Sequence, residues 1–316
     1  MPSIHQLEYL VAVDREKHFG RAAEDCHVSQ PSLSTQIQKL EEELGIVIFD
    51  RSKKPIKARE VGKEVIEQAK LILKEHKKLD YIAGLGSGTP KGEFELAVIP
   101  TLAPYLIPIF LGHFAVKYPE VKLKINEYKT EDIIKKLIND EIDAALLVTP
   151  LGDDRIIERH LFFEPFYAYL SEDHPLFKRK ILTEFDLEEH QMWLLEEGHC
   201  FREQVLKVCS MDKKGGVFPN IEFASGNLET LKNLVKKNTG YTLLPELALE
   251  DMTDKEIKTH IKKFKKPAPT REVSIVHSRS FLKESIITAI EQSILDTLPK
   301  RIRSLKRQDI EVVDIY

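Results

Sequence analysis

The chain has 316 residues, 42% hydrophobic and 31% charged, with a net charge of −4; this is the make-up of a globular protein with room for two or three domains. No apolar run approaches bilayer-spanning length, and Met1-Pro2-Ser3-Ile4-His5 has no cationic segment leading into an apolar core, so neither a membrane span nor a signal peptide is expected. Three cysteines exclude a secreted disulfide scaffold and point to a reducing cytoplasm, and the slight negative charge requires any nucleic-acid surface to be local.

Ile4, Leu7, Leu10, Val11 and Val13 give one inward face to a helix over 4–16. Gly20 to Cys26 gives a short second helix in which Ala22 and Ala23 permit close packing. After a turn at His27-Val28, Ser29 caps a third helix and Pro31 suits its first turn. Leu33, Ile37, Leu40 and Leu44 carry that helix to Gly45. Beside Pro31, the outward residues Gln30, Ser32, Ser34, Thr35, Gln36 and Lys39 suit base edges and phosphates. Ile46–Phe49 then leads into 51–59, which holds five basic residues and no acidic one. Alone, that run reads as a solvated hairpin. After three helices it reads as the wing of a DNA-binding domain over 1–60, with Arg51 on phosphate.

A long helix follows over 61–84. Val65, Ala69, Ile72, His76, Leu79 and Ala83 alternate by four and three, the seam of a coiled coil, widened by Ile66, Leu73 and Ile82. It can be a core helix; beside a DNA-binding unit it is expected to dimerise the chain. Residues 85–90 form a hinge rich in Gly, Ser and Pro.

From 91 to 316 strands and helices alternate, which indicates an α/β domain. Strands are expected at Glu93–Ile99, Lys122–Tyr128, Ala144–Val148, Phe166–Leu170, Met192–Leu195, Ile221–Ala224, Tyr241–Leu244 and Val273–His277. Helices are expected at Leu106–Lys117, Thr130–Asn139, Asn227–Lys237 and Phe281–Leu298. Thr101 and Thr130 lie beyond carboxyl strand ends, where open α/β sheets hold ligands, or else they are plain turn and cap residues. The basic tail after Pro299 is expected to be exposed.

Within this domain Gly198-His199-Cys200-Phe201-Arg202-Glu203-Gln204 precedes Cys209. Phe201, Val205 and Val208 have helical spacing, which sets Cys200 at a helix N-terminus. There the dipole, Arg202 and a protonated His199 would lower the thiol pKa. Nine residues of helix span about 13–14 Å, and a disulfide needs Cα atoms within about 7 Å. The pair is either a switch that must unwind its helix or two structural thiols. A zinc site lacks a fourth ligand at metal-site spacing. No P-loop or dinucleotide fingerprint is present, and no cofactor or metal is expected.

Phe19-Gly20-Arg21-Ala22-Ala23, Val28-Ser29-Gln30-Pro31-Ser32-Leu33-Ser34, Leu40-Glu41-Glu42-Glu43-Leu44-Gly45 and Phe49-Asp50-Arg51 resemble the N-terminal domain of LysR-type transcriptional regulators. The GHCxRxQ string with Cys209, Ile99-Pro100-Thr101, Thr130 and Leu228-Glu229-Thr230-Leu231 resembles the OxyR hydrogen-peroxide sensors within that family. The resemblance implies a winged helix-turn-helix, a linker helix, and a regulatory domain of two Rossmann-like lobes like those of periplasmic binding proteins. Lobe I would cover about 91–163 and 268–298, and lobe II about 164–267. It implies that Cys200 is the peroxidatic and Cys209 the resolving cysteine, with Thr101, Thr130 and His199 positioning the peroxide. It implies a DNA operator, a homodimer or homotetramer, RNA polymerase and a cellular dithiol reductant as partners, and no enzyme activity. Glu203, Glu222 and the loop Lys213-Lys214-Gly215-Gly216 depart from the pattern. Rival readings are a LysR-type regulator of a small organic metabolite, a thiol peroxidase fused to a DNA-binding domain, and a solute receptor.

Overall fold

The computed structural model describes residues 1–84, 90–172, 174–187, 192–209, 225–278 and 283–315. They divide into two compact units, Met1–Gly88 and Thr89–Tyr316. The hinge expected at 85–90 lies, apart from Pro90, outside the described residues, as do the strand expected at 221–224, the loop 213–216 and Glu222.

The first unit opens with α1 (Ile4–Glu16), α2 (Phe19–Asp25) and α3 (Gln30–Leu44). Each start is capped by a side chain: Ser3 in a capping box with Gln6, His18 on the N–H groups of Gly20 and Arg21, and Ser29 on Ser32. Gly45 ends α3 at φ 68°, where a glycine carries no steric penalty. The wing is two short antiparallel strands, β1 (Phe49–Asp50) and β2 (Lys57–Ala58). Leu10, Val13, Leu33, Ile37, Leu40 and Phe49 form the centre of the core. Then α4 (Glu60–Gly84) begins directly on the wing, so close that a Cβ on Gly62 would lie 2.4 Å from the Ile48 carbonyl oxygen. The seam of α4 divides. Ile66 and Ala69 are closed into the helix-turn-helix core, whereas Ile72 and Leu79 stay 41% and 62% exposed. His76 is exposed beside them, and the side chains of Ile82 and Ala83 lie outside the description.

The second unit runs β3 (Gly92–Val98), α5 (Ala103–Lys117), β4 (Val121–Glu127), α6 (Thr130–Ile138), β5 (Ala144–Thr149) and β6 (Ile156–Leu170). It continues through α7 (Cys200–Val208), α8 (Leu228–Lys237), β7 (Tyr241–Pro245), α9 (Asp254–His260), β8 (Ile261–Lys263) and β9 (Ala268–Ser278). It closes with α10 (Glu284–Thr297), α11 (Lys300–Arg303) and β10 (Ile310–Val312). The strand order is β4-β3-β5-β9-β6-β7, with β8 added on β6 and β10 on β9. β3 is parallel to β4 and β5, and β9 is antiparallel to β5 and β6. The long strands β6 and β9 are common to both lobes, paired from Ile156↔Ser278 to Pro165↔Thr270.

Several expectations are corrected. β6 and β9 are longer than the apolar runs at 166–170 and 273–277, because polar residues on them pair inside the sheet. α5 starts at Ala103, since Pro104 suits a first turn. Residues 192–195 form an extended segment held to β7 by a Met192–Tyr241 bridge and by Trp193 N–H on the Tyr241 carbonyl at 2.8 Å. α9, with its Thr253–Glu256 capping box, went unread. The basic tail is not free: Ile302, Ile310 and Ile315 are 3%, 6% and 5% exposed. No helix among the described residues is long and apolar enough to cross a membrane.

Candidate functional site

The carboxyl ends of β3 and β4 deliver Thr101 and Thr130, and α7 of the other lobe faces them with Cys200 at its first position. Thr130 is the first residue of α6, with Lys129 as N-cap, so it is not the cap itself. All four central groups are buried: Thr101 1%, Thr130 6%, His199 5% and Cys200 7% exposed.

The sulfur of Cys200 is surrounded by donors. The Thr130 hydroxyl and the backbone N–H groups of Phe201 and Cys200 itself all favour its thiolate. The positive charge of Arg271 acts in the same direction. Burial nonetheless outweighs them and pushes the thiol above its ordinary value, contrary to the lowering expected from a helix N-terminus. Two further reasons separate expectation from structure. Burial and the neighbouring Lys129 hold His199 below its ordinary value, which favours the neutral ring. Arg202 donates Nη1 to the Leu195 carbonyl at 2.7 Å, so it ties the incoming segment to α7.

Arg271 on β9 is the cation that the sequence reading missed. It is fully buried, with its Nε 2.8 Å from Oε2 of Glu164 on β6 and Nη2 2.7 Å from the same oxygen. Nη1 and Nη2 donate to the Thr101 hydroxyl and carbonyl oxygens, both at 3.2 Å. The Thr101 hydroxyl thus accepts from Arg271 and keeps its own proton to donate. The guanidinium also lies 5.4 Å from the centroid of Phe201, next to Cys200. Glu164 takes its remaining bond from the Leu247 N–H at 2.8 Å. A charged residue inside Leu161-Phe162-Phe163-Glu164-Pro165-Phe166 was the available signal, because a charge in such a run is buried and must be paired.

Further side-chain ties cross between the lobes around the site. Lys129 Nζ, beside Thr130, donates to Glu196 Oε1 at 2.8 Å and to the Glu197 carbonyl at 3.3 Å. Tyr105 of α5 donates its hydroxyl to Glu229 of α8 at 2.9 Å. The close fit has backbone causes. Gly198 turns at φ 86° under the Lys129 side chain. A Cβ on Gly226 would come within 3.0 Å of His199 Nε2.

Cys209 closes the other end of α7 as its C-cap, and both cysteines are free thiols. Burial and the nearby Glu184 carboxylate push the Cys209 thiol up to about 12. The structure therefore brings Thr101, Thr130, His199 and Cys200 together and keeps Cys209 apart, nine residues of helix away, about 13–14 Å.

In the first unit Gln30, Pro31, Ser32 and Thr35 are exposed on α3, while Ser34 and Gln36 are half-buried. Arg51 is not a free wing cation. Its Nη2 lies 2.9 Å from Glu41 Oε2, and the guanidinium stands 5.1 Å from the Phe19 ring centroid. Glu41 also accepts the N–H groups of Ile48 and Phe49 at 2.7 and 3.1 Å, so Arg51 completes a joint between α3 and the wing. Lys53, Lys54, Lys57 and Arg59 remain exposed on the wing.

Residues 4–62 match the model of the bacterial regulatory helix-turn-helix proteins of the lysR family, and residues 87–298 match the LysR substrate binding domain. The chain is 34% identical over 275 residues to the hydrogen peroxide-inducible genes activator of Pectobacterium carotovorum, covering 87% of this chain and 90% of that one. It is also 34% identical to the DNA-binding transcriptional dual regulator OxyR of Escherichia coli K12, covering 87% and 89%. A full-length OxyR variant from Pseudomonas aeruginosa superposes with a TM-score of 0.76 at 32% identity, over 94% of this chain and 99% of that one. By its two domain matches and by these relatives, the chain belongs to the LysR family of transcriptional regulators, in the OxyR group.

Proposed function

We propose that this chain is a DNA-binding transcriptional regulator that senses hydrogen peroxide through Cys200 and resolves it with Cys209. The observation that carries the reading is one buried thiol held at a helix N-terminus by Thr130 and two backbone N–H groups, beside Thr101, His199 and Arg271. That is a site for a very small polar ligand, and peroxide-inducible activators are among the relatives.

The Cys200 thiolate attacks one peroxide oxygen, the O–O bond breaks, and hydroxide leaves. The sulfur becomes a sulfenic acid. The Thr101 and Thr130 hydroxyls would hold the two oxygens in line and donate to the departing one. Cys209 then displaces the sulfenic hydroxyl as water and forms the disulfide. Its thiolate is scarce inside the fold: with the thiol near 12, only about one molecule in 10⁵ is ionised at pH 7. Unwinding α7 both closes the distance and frees that thiol. A cellular dithiol resets the pair. The protein turns over no substrate in this scheme, so it is a sensor and not an enzyme, at work in the cytoplasm.

The exposed face of α3 reads the operator and the wing lysines contact phosphate. Ile72 and Leu79 are apolar, exposed and on one seam of α4, which supports a homodimer, assembled further into a homotetramer. A rearranged sensing lobe then alters half-site spacing and contact with RNA polymerase. Cys200→Ser tests the scheme. It should keep reduced-state operator binding and lose the change in DNA footprint on peroxide treatment. A Cys200→Ser chain whose footprint still shifts with peroxide overturns the reading in favour of a metabolite sensor.

A further inference from the structure

The chain runs on past residue 298, where its match to the substrate-binding family model ends. That extension is folded onto the sensing unit. Arg301 Nε lies 2.8 Å from the buried Glu246, and Lys266 Nζ lies 2.8 Å from Asp309. β10 pairs in parallel with β9 at Ala268, Pro269 and Thr270, directly before Arg271. The Val313 N–H extends this pairing to the Thr270 carbonyl at 2.9 Å. The Val313 carbonyl then accepts from Nε2 of Gln204, on α7, at 2.6 Å. Gln204 is fully buried, and its Oε1 has no partner among the described residues.

Gln204 stands between the two cysteines in sequence. The contact with Val313 requires residue 204 to be on the helix. A disulfide between 200 and 209 requires that stretch to leave the helix. The two partners of α7 therefore exclude one another.

We propose that the C-terminal strand is a brake on the second oxidation step: docked, it holds α7 helical and delays resolution of the sulfenic acid, and disulfide formation ejects it. This rests on the peroxide-sensing reading above. The braked step is Cys200–SOH plus Cys209–SH giving Cys200–S–S–Cys209 plus water. The S–O and S–H bonds break, the S–S bond forms, and the electron pair comes from the Cys209 sulfur, so no outside oxidant enters. The coupling is reciprocal: the factor by which docking disfavours the disulfide is the factor by which the disulfide weakens docking.

Two changes undock the tail without touching α7: a chain ending at Asp309, and full-length Ile315→Asp, which sets a charge at a buried position. Sulfenic acid is read as the one-oxygen mass gain of a Cys209→Ser chain, and disulfide is timed by mass spectrometry with Cys209 present. Sulfenic acid formation should stay within about twofold of the parent, and the disulfide step should accelerate by about tenfold or more, equivalent to 1.4 kcal/mol. In the unaltered chain, amides 310–315 should exchange hydrogen faster after oxidation than before. Unchanged disulfide rates in both variants, or equal protection of 310–315 in the two redox states, overturn the brake. If truncation prevents folding, Ile315→Asp and the exchange measurement decide it. Absence of sulfenic acid at Cys200 in the Cys209→Ser chain with its tail intact strikes the sensing reading itself.

Discussion

Replacing Arg271 by methionine separates what the buried ion pair does for the fold from what it does for the sulfur. Both side chains of the pair are 0% exposed, so Arg271→Met strands the Glu164 carboxylate in the core. Breaking a buried pair in this way costs about 3–5 kcal/mol. The loss should fall in the upper half of that range, because the hydroxyl and carbonyl of Thr101 lose their donor at the same time. The double variant Glu164→Gln/Arg271→Met removes the stranded charge and should recover most of the stability. It should not recover reactivity, because the Arg271 charge is one of the groups that hold the Cys200 thiol down against burial. Removing a close opposite charge moves a pKa by about 1–3 units. The thiolate fraction falls accordingly, but a more basic thiolate is also a better nucleophile, with a slope of about 0.4–0.5, so the net rate should fall about 3–60-fold near neutral pH. Urea unfolding followed by circular dichroism measures the first effect, and the rate of sulfenic acid trapping measures the second. A double variant that is oxidised as fast as the parent refutes the role given to Arg271.

Because Cys209 must leave its pocket before it ionises, the disulfide step should rise with pH and level off near its unburied value of about 9; a rate still climbing toward 12 places the attack in the intact helix. The same shift bears on stability. The folded thiol is raised, so its contribution is whole below pH 9.0 and is lost between there and about 12. The loss reaches roughly 4 kcal/mol at 1.36 kcal/mol per unit, and Cys209→Ala should remove this alkaline decline in urea unfolding. In the DNA-binding unit, Arg51→Ala should lower unfolding free energy by about 1–2 kcal/mol through Glu41 and leave the salt dependence of DNA binding nearly unchanged. Lys54→Ala should instead reduce the log-affinity against log-salt slope by about 1, so equal slopes for the two variants contradict the joint assigned to Arg51. Ile72→Asp would bury a charge against its symmetry mate at a cost of several kcal/mol, and sedimentation showing an intact dimer removes the seam from the assembly.

The parts of this molecule legible in its sequence are those set by local pattern. Caps and apolar spacing placed α1, α3 and α4, and the setting of Cys200 between Gly198 and a helical run placed that cysteine at a helix start. Thr101 and Thr130 were legible as site residues only through the family resemblance, since a threonine after a strand is ordinary turn chemistry. Glu164 and Arg271 stayed hidden because their pairing is made by strand register across 107 positions, which no local window contains. The partners of Arg51 and Arg202 stayed hidden for a related reason. A cation in a sequence looks free, whereas each of these is engaged, by a carboxylate or by a carbonyl that folding brings near. The tail was misjudged because five basic residues mask the isoleucines 302, 310 and 315, which anchor it.

The contacts of Lys129 with Glu196 and of Tyr105 with Glu229, which run between the lobes, have a consequence for how long a signal would persist in the proposed scheme. Hydrogen peroxide is scarcely larger than water, and the Cys200 thiol it would have to reach is only 7% exposed. A dithiol protein or a glutathione molecule is far larger. In the proposed scheme oxidant and reductant would therefore act on different conformations of one chain: the first on the closed lobes, the second only after α7 has unwound and carried the sulfurs outward. A chain halted at the sulfenic acid stays shielded from bulky thiols, and one that has gone on to the disulfide becomes available to them. Recovery is then timed by the opened form and not by the supply of reductant alone.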